Sequence, residues 1–229
     1  MQRKRIVNIC FLILIFAILW YGIFILKGED YYLISMVIII ISLLAFLLSF
    51  EKTRPNAAML TVIASLCALG TVARIAFFFL PQVKPIAAIV IIAGCVFGSE
   101  VGFVTGAVSA FVSNFYFGQG AWTPFQMFAL GMIGFFAGIF FRNSRNRIAI
   151  MIYGFFSIII IYGGVVDINT IFYAVEKPTW SEVAAIYMTG LPLNITFGIS
   201  TAAFLFLLYR PIMSRLERMN KKYRLIDKE

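Results

Sequence analysis

Residues 86–117 read IAAIVIIAGCVFGSEVGFVTGAVSAFVSNFYF, and the way this stretch meets a bilayer decides the topology of everything after it. The first run, 86–97, lies between Pro85 and Gly98; the second, 101–117, follows the joint GSE. Twelve helical residues reach about 18 Å, against a hydrocarbon core of about 30 Å. Either both runs cross as short helices packed inside protein, or both fold back as a re-entrant hairpin. Two short helices are expected. If the first failed to cross alone, the basic C-terminal tail would be placed outside the cell.

Working outward, the other apolar segments are 6–26, 31–50, 57–80, 125–141, 148–166 and 183–209. The chain of 229 residues is 62% hydrophobic and 13% charged, with a mean hydropathy of +0.97. A soluble domain carries about a quarter charged residues, so water on all sides is excluded. Continuous rather than alternating apolar runs argue against a β-barrel. The expected fold is an all-α polytopic membrane protein of about eight spans. The basic, then apolar N-terminus has no small-x-small cleavage site and is read as a retained first helix.

Lys and Arg number 19. With the N-terminus inside, fifteen fall on the inner joints and the two ends, and Lys27, Lys84 and Lys177 fall outside. Arg74 alone is left within a span. This bias sets the orientation, with both termini cytoplasmic. It also explains the net charge of +9 as a topology signal and not as a nucleic-acid footprint. The expected localisation is the cell membrane of a prokaryote, as a multi-pass protein.

Histidine is absent, which removes histidine triads, histidine proton relays and most zinc sites. Cys10, Cys67 and Cys95 lie unpaired in apolar runs and read as small core residues. No Walker motif, H-E-x-x-H or G-x-S-x-G is present, nor a membrane-embedded aspartate pair, so no enzyme is expected and no cofactor of its own. No internal repeat marks a two-halved secondary carrier. The chain divides into an Ile-, Leu- and Phe-rich N-terminal hairpin (1–56), a six-helix body (57–210) and a basic cytoplasmic tail (211–229). In the body, Ala64 and Ala68 form A-x-x-x-A, while Gly102 with Gly106 and Gly134 with Gly138 form G-x-x-x-G. Such spacing serves close internal packing or docks another membrane subunit.

Polar groups gather at the outer joints 81–85, 118–124 and 167–182. The densest set lies in SNFYFGQGAWTPFQMF, residues 113–128. Thr123-Pro124 predicts a helix start with Thr123 as N-cap, and Gln126 in its first turn. Asn114, Gln119, Thr123 and Gln126 then offer hydrogen bonds, and Tyr116 and Trp122 stacking surface. An interfacial turn with aromatic anchors and amide caps is the plainer alternative. Arg74, in VARIAFFFLP, either snorkels outward, pairs with Asp167, or clamps an anionic or carbonyl group of a ligand. Lys84 reads first as an interface marker, and with Asp167 and Asn169 completes the candidate substrate contacts.

Residues 73–141, with KP, AG-x-x-FG, SNF-x-FGQG and WTP-x-QMFA-x-G, resemble the substrate-binding S components of energy-coupling factor (ECF) vitamin transporters, most nearly the subgroup assigned to cobalamin. The resemblance implies a six-helix body that captures a vitamin from outside. It would act with a transmembrane coupling subunit and two cytoplasmic ATPases that hydrolyse the ATP, toppling in the membrane to release its cargo. It also implies that Ala64 and Ala68 contact the coupling subunit, and that 81–85, 114–126 and 167–182 hold the substrate. The hairpin at 6–50 is additional to the family's plan. An integral membrane enzyme or chaperone acting on lipid-like molecules, or a stand-alone carrier, are the competing readings.

Overall fold

The computed structural model describes residues 55–175, 179–223 and 225, and in the segment 36–50 residues 36, 37, 39–44, 47, 48 and 50. The expected helix 6–26, its partnership in a hairpin, the termini and the joints 27–30, 51–54 and 176–178 (with Glu176 and Lys177) lie outside those residues. Where described, 36–50 is helical.

Helix α1, Ala57–Ala76, starts where the Asn56 side chain accepts the Met59 amide at 2.8 Å, which satisfies one of the orphan donors of the first turn. Its inward stripe is Met59, Val62, Ile63, Leu66, Cys67, Gly70, Thr71 and Arg74, the spacing of one helical face. The other face exposes Leu60, Ala64, Ala68, Leu69 and Val72. The helix ends at Ala76, earlier than the expected 80, because residues 77–83 turn back through i to i+3 hydrogen bonds such as Leu80 to Phe77 and Val83 to Leu80.

Helix α2, Ile86–Phe97, is buried along its whole length. It packs on α1 and on three later helices, α3 (Ser99–Phe117), α4 (Trp122–Phe140) and α7 (Trp180–Tyr223). Protein rather than lipid surrounds it, so twelve residues suffice; a helix inside a bundle has no hydrocarbon thickness to match. Only Gly98 separates α2 from α3. Its φ of +99° lies in the region open to glycine, and the reversal sets α2 and α3 antiparallel.

α2, α3 and α4 share a seam with almost no side chains. A Cβ on Gly134 would lie 2.2 Å from the Gly102 carbonyl oxygen, and one on Gly94 2.2 Å from that of Gly134. A Cβ on Gly138 would lie 2.3 Å from the Ser99 nitrogen. Both G-x-x-x-G elements are thus spent on internal packing. Ala64 and Ala68 are not: both are exposed.

Helix α5 (Arg147–Ser157), a π-helical turn (Ile158–Gly163) and α6 (Gly164–Ala174) form one continuous rod. With α1, α2, α3, α4 and α7 this gives six rods from residue 57 onward, and no strand among the described residues. Four helical stretches are long and apolar enough to cross a membrane: α1, α4, Arg147–Ile171 and α7. The expected outer joint 167–182 contracts to five residues, 175–179. Asp167 and Asn169 suggest a loop by composition, yet Val165, Ile168 and Ile171, all fully buried, keep helical spacing. α7 begins with a reciprocal cap: the Thr179 amide donates to Glu182 at 2.8 Å, and the Glu182 amide to the Thr179 hydroxyl at 3.4 Å. It continues past the expected residue 209 to Tyr223, through Pro192 and Pro211. Residues 211–223 of the expected tail are therefore helical, since Arg, Leu, Met, Glu and Lys all favour helix.

Candidate functional site

The bundle has one strongly basic end, with Arg142, Arg145, Arg147 and Arg210, and an opposite end where α1, α3, α4, α6 and the 77–85 segment meet. The polar stretch 113–126 lies at this opposite end, and Arg74 ties into it. The Arg74 guanidinium, 7% exposed, donates through Nη1 to Ser113 Oγ and to Asn114 Oδ1, the latter at 2.9 Å. It also lies 4.4 Å from the centre of the Phe117 ring. Asn114, 1% exposed, passes the connection on: its Nδ2 donates to Gln126 Oε1 at 2.9 Å and to Thr123 Oγ1 at 3.2 Å. The Thr123 hydroxyl donates to Gln119 Oε1 at 2.9 Å, and Gln119 Nε2 to the Phe111 carbonyl at 2.9 Å.

Four of the expected contacts therefore come together: Asn114 bonds to Thr123 and Gln126, and Gln119 to Thr123 and to the Phe111 carbonyl. These bonds hold the α3–α4 turn together, and Arg74 ties it to α1. Thr123 is not the N-cap. α4 starts at Trp122, with Ala121 at the cap, because the Thr123 hydroxyl is held by Asn114 and Gln119. Gln126 consequently lies in the second turn rather than the first. Tyr116 and Trp122 remain at the rim. Tyr116 is 56% exposed, edge-on to Phe78, and Trp122 lies over Gly120, as the interfacial-anchor reading would have it.

Arg74 does not pair with Asp167, nor does it snorkel out. Asp167 Oδ2 instead accepts from Asn194 Nδ2 of α7 at 3.2 Å, beside Gly190. Tyr162, on the π turn, is within electrostatic range of both Arg74 and Asp167 and packs edge-on to Phe197 at 5.2 Å. A π turn adds a residue to the helix and resets which side chains face inward, a feature common at functional sites. Asn169 is 7% exposed, and its Oδ1 has no hydrogen-bond partner among the described residues.

Lys84 belongs to the same end. Its backbone amide donates to Ser200 Oγ at 3.0 Å and its Nζ to Gln82 at 2.8 Å, with the ammonium 5.6 Å from the Phe197 ring centre. Burial pushes its pKa down to about 8, and the nearby Arg74 charge acts in the same direction. A buried and a half-buried cation thus share the site, with no ion pair to either among the described residues. Of the five donors of Arg74, those on Nε and Nη2 make no hydrogen bond among the described residues. Among the described residues no group of acidic, His or Cys side chains could hold a metal.

Sequence reasoning missed Tyr162, Asn194, Phe197 and Ser200. Asn194, an amide two residues after Pro192 in an apolar run, was a signal open to reading; the others needed the packing of α7 on the π turn.

Residues 50–214 match the model of the family described as "ECF-type riboflavin transporter, S component". The chain belongs to that family. It is a family of transporter subunits, not of enzymes, and its members are membrane proteins. S components of ECF transporters act with a coupling subunit and ATPases. The match supports the S-component reading and leaves the cobalamin subgroup without support. Neither the curated proteins nor the solved structures yielded a match.

Proposed function

We propose that this S component captures a riboflavin-like vitamin at the end of the bundle that holds Arg74 and Lys84. The observation that carries the reading is a buried arginine held in place by Ser113 and Asn114 that has, among the described residues, no carboxylate partner and no hydrogen bond from Nε or Nη2. An intramembrane charge of this kind is retained where it meets a cavity or a ligand. A flat ring edged with carbonyl oxygens and ring nitrogens matches fixed guanidinium donors and the Phe197 and Tyr162 rings. The family description points the same way.

In this reading the ligand end faces outward and the basic end the cytoplasm, as the charge bias requires. The exposed Ala64 and Ala68 face docks the coupling subunit, which delivers the work of the two ATPases. The A64L/A68L pair is expected to keep vitamin affinity and lose co-purification with the coupling subunit; unaltered co-purification would remove this face from the interface.

The direct test is to purify the protein from cells grown in rich medium, denature it, and identify released small molecules by mass spectrometry. One equivalent of riboflavin or a related flavin is expected. Stoichiometric cobalamin would replace the cargo assignment. An empty protein with no thermal shift from a vitamin panel would overturn the function.

A pH dependence follows from Lys84. A ligand acceptor beside the ammonium favours its charged form, so binding takes up a proton above the free value of about 8. Affinity is expected to weaken from pH 7 to 9.5, and Lys84→Gln to flatten the profile; an equal slope in both proteins would exclude Lys84 from the site. Stability moves the opposite way. The unfolded lysine keeps its proton to about 10.5 and the folded one only to about 8. Lys84 therefore favours the folded state above that window, and this contribution is lost as pH falls through 8.

A further inference from the structure

At the basic end a cavity of about 420 Å³ opens between the segment before α5 and the end of α7, lined by Arg145, Tyr209, Arg210, Met213, Ser214 and Glu217. Its walls are of two kinds. Tyr209 and Met213 are buried and apolar, Tyr209 being fixed by its hydroxyl donating to the Ser144 carbonyl at 2.6 Å. Arg145 and Arg210 are exposed and cationic. Arg145 meets Glu217 at 3.3 Å, the arginine side chain 81% and the glutamate side chain 25% exposed; a pair this open on the arginine side is weak. Arg210 has no carboxylate partner among the described residues.

One turn toward the middle of α7 from Arg210, Phe206 and Leu207 are 47% and 62% exposed. Arg147 lies against that same surface, 4.0 Å from the Phe206 ring centre and donating to its carbonyl at 3.1 Å. A cationic mouth therefore continues directly into an apolar strip that runs into the membrane. A free anion would use only the first of these, whereas a phospholipid would use both. Basic recesses between membrane helices at the cytoplasmic side suit anionic headgroups, and guanidinium groups match phosphate oxygens in pairs.

We propose that this cavity binds the phosphate of an anionic phospholipid, with Arg145 and Arg210 on the phosphate, Ser214 beside it, and the acyl chains along Phe206 and Leu207. Glu217 is the competitor that holds Arg145 when the lipid is absent. The site lies at the opposite end from Arg74 and does not depend on the identity of the cargo.

The experiment is native mass spectrometry of the full chain in detergent with dioctanoyl phosphatidylglycerol, dioctanoyl phosphatidylcholine or inorganic phosphate. The phosphatidylglycerol adduct is expected to persist, and to fall about tenfold in R145Q/R210Q. In E217Q it should rise, because Arg145 is released; a role confined to packing would not produce that increase. Equal adducts for the two lipids, or no response to either variant, would overturn the proposal. So would inorganic phosphate displacing the lipid at equal concentration, which would make the ligand a free anion. An unchanged adduct together with lost co-purification of the coupling subunit would overturn it as well, leaving a protein-docking face. Arg145, Arg210 and Glu217 lie at the surface of the bundle end, so these variants should fold, and a wild-type melting temperature verifies that they do.

Discussion

Gly134→Leu is expected to leave no folded protein. The Gly134 Cα faces the backbone of α3, and even a single Cβ there would meet the Gly102 carbonyl oxygen at 2.2 Å, its carbon at 2.5 Å and the Val90 side chain at 2.7 Å. A side chain can turn aside, but a helix carbonyl cannot, so α3 and α4 would have to separate along their length. That would also open the contacts at Gly94, Gly106 and Gly138, since all lie on the same seam. Overpacking a core costs about 1–3 kcal/mol where side chains can adjust, and here the obstacle is backbone, so a larger loss is expected. Fluorescence-detected size exclusion should show G134L aggregated or absent, and G134A with a lowered melting temperature. A monodisperse G134L with the wild-type melting temperature would show that the seam is not as close as described. Gly118 is the contrast: its φ of +98° strains other residues, but nothing lies within 4 Å of an added Cβ, so G118A should cost far less, on the order of 1 kcal/mol.

Arg74→Gln is expected to weaken binding of the proposed riboflavin-like ligand by about 10- to 100-fold, the worth of one or two hydrogen bonds from a charged donor. The variant also leaves Ser113 and Asn114 without their donor, and a buried polar group left unpaired costs about 1–3 kcal/mol. Stability and affinity must therefore be read separately: a thermal melt without ligand for the first, and isothermal titration at a temperature where the variant is folded for the second. Arg74→Lys sharpens the test. It keeps the charge, but a single ammonium cannot hold Ser113 and Asn114 while presenting further donors in a fixed plane, so it should restore only part of the affinity. Wild-type affinity in a folded R74Q would remove the arginine from the binding site and leave it as the tie between α1 and α3.

Much of the site was legible residue by residue. A charge in an apolar run and four hydrogen-bonding side chains within thirteen residues are anomalies that need no structure to notice. What they do to one another was not legible. Asn114 and Gln126 are twelve residues apart and Arg74 and Asn114 forty, and whether such groups face a solute or each other depends on how three helices are set side by side. The same holds for Asp167 and Asn169: in sequence they mark a loop, and only the burial of Val165, Ile168 and Ile171 against neighbouring helices draws them into α6.

The helical class and the rough place of the helices from residue 57 onward were legible in the sequence alone, because bilayer thickness acts on local composition. The tertiary structure alone decided that α2 can be short, that the glycine repeats join helices of this chain rather than a partner's, and that Asn114 bonds to Arg74, Thr123 and Gln126. Each is a statement about distances between helices far apart in sequence. Such distances are fixed by which backbones can approach when side chains are absent, and no local pattern encodes that.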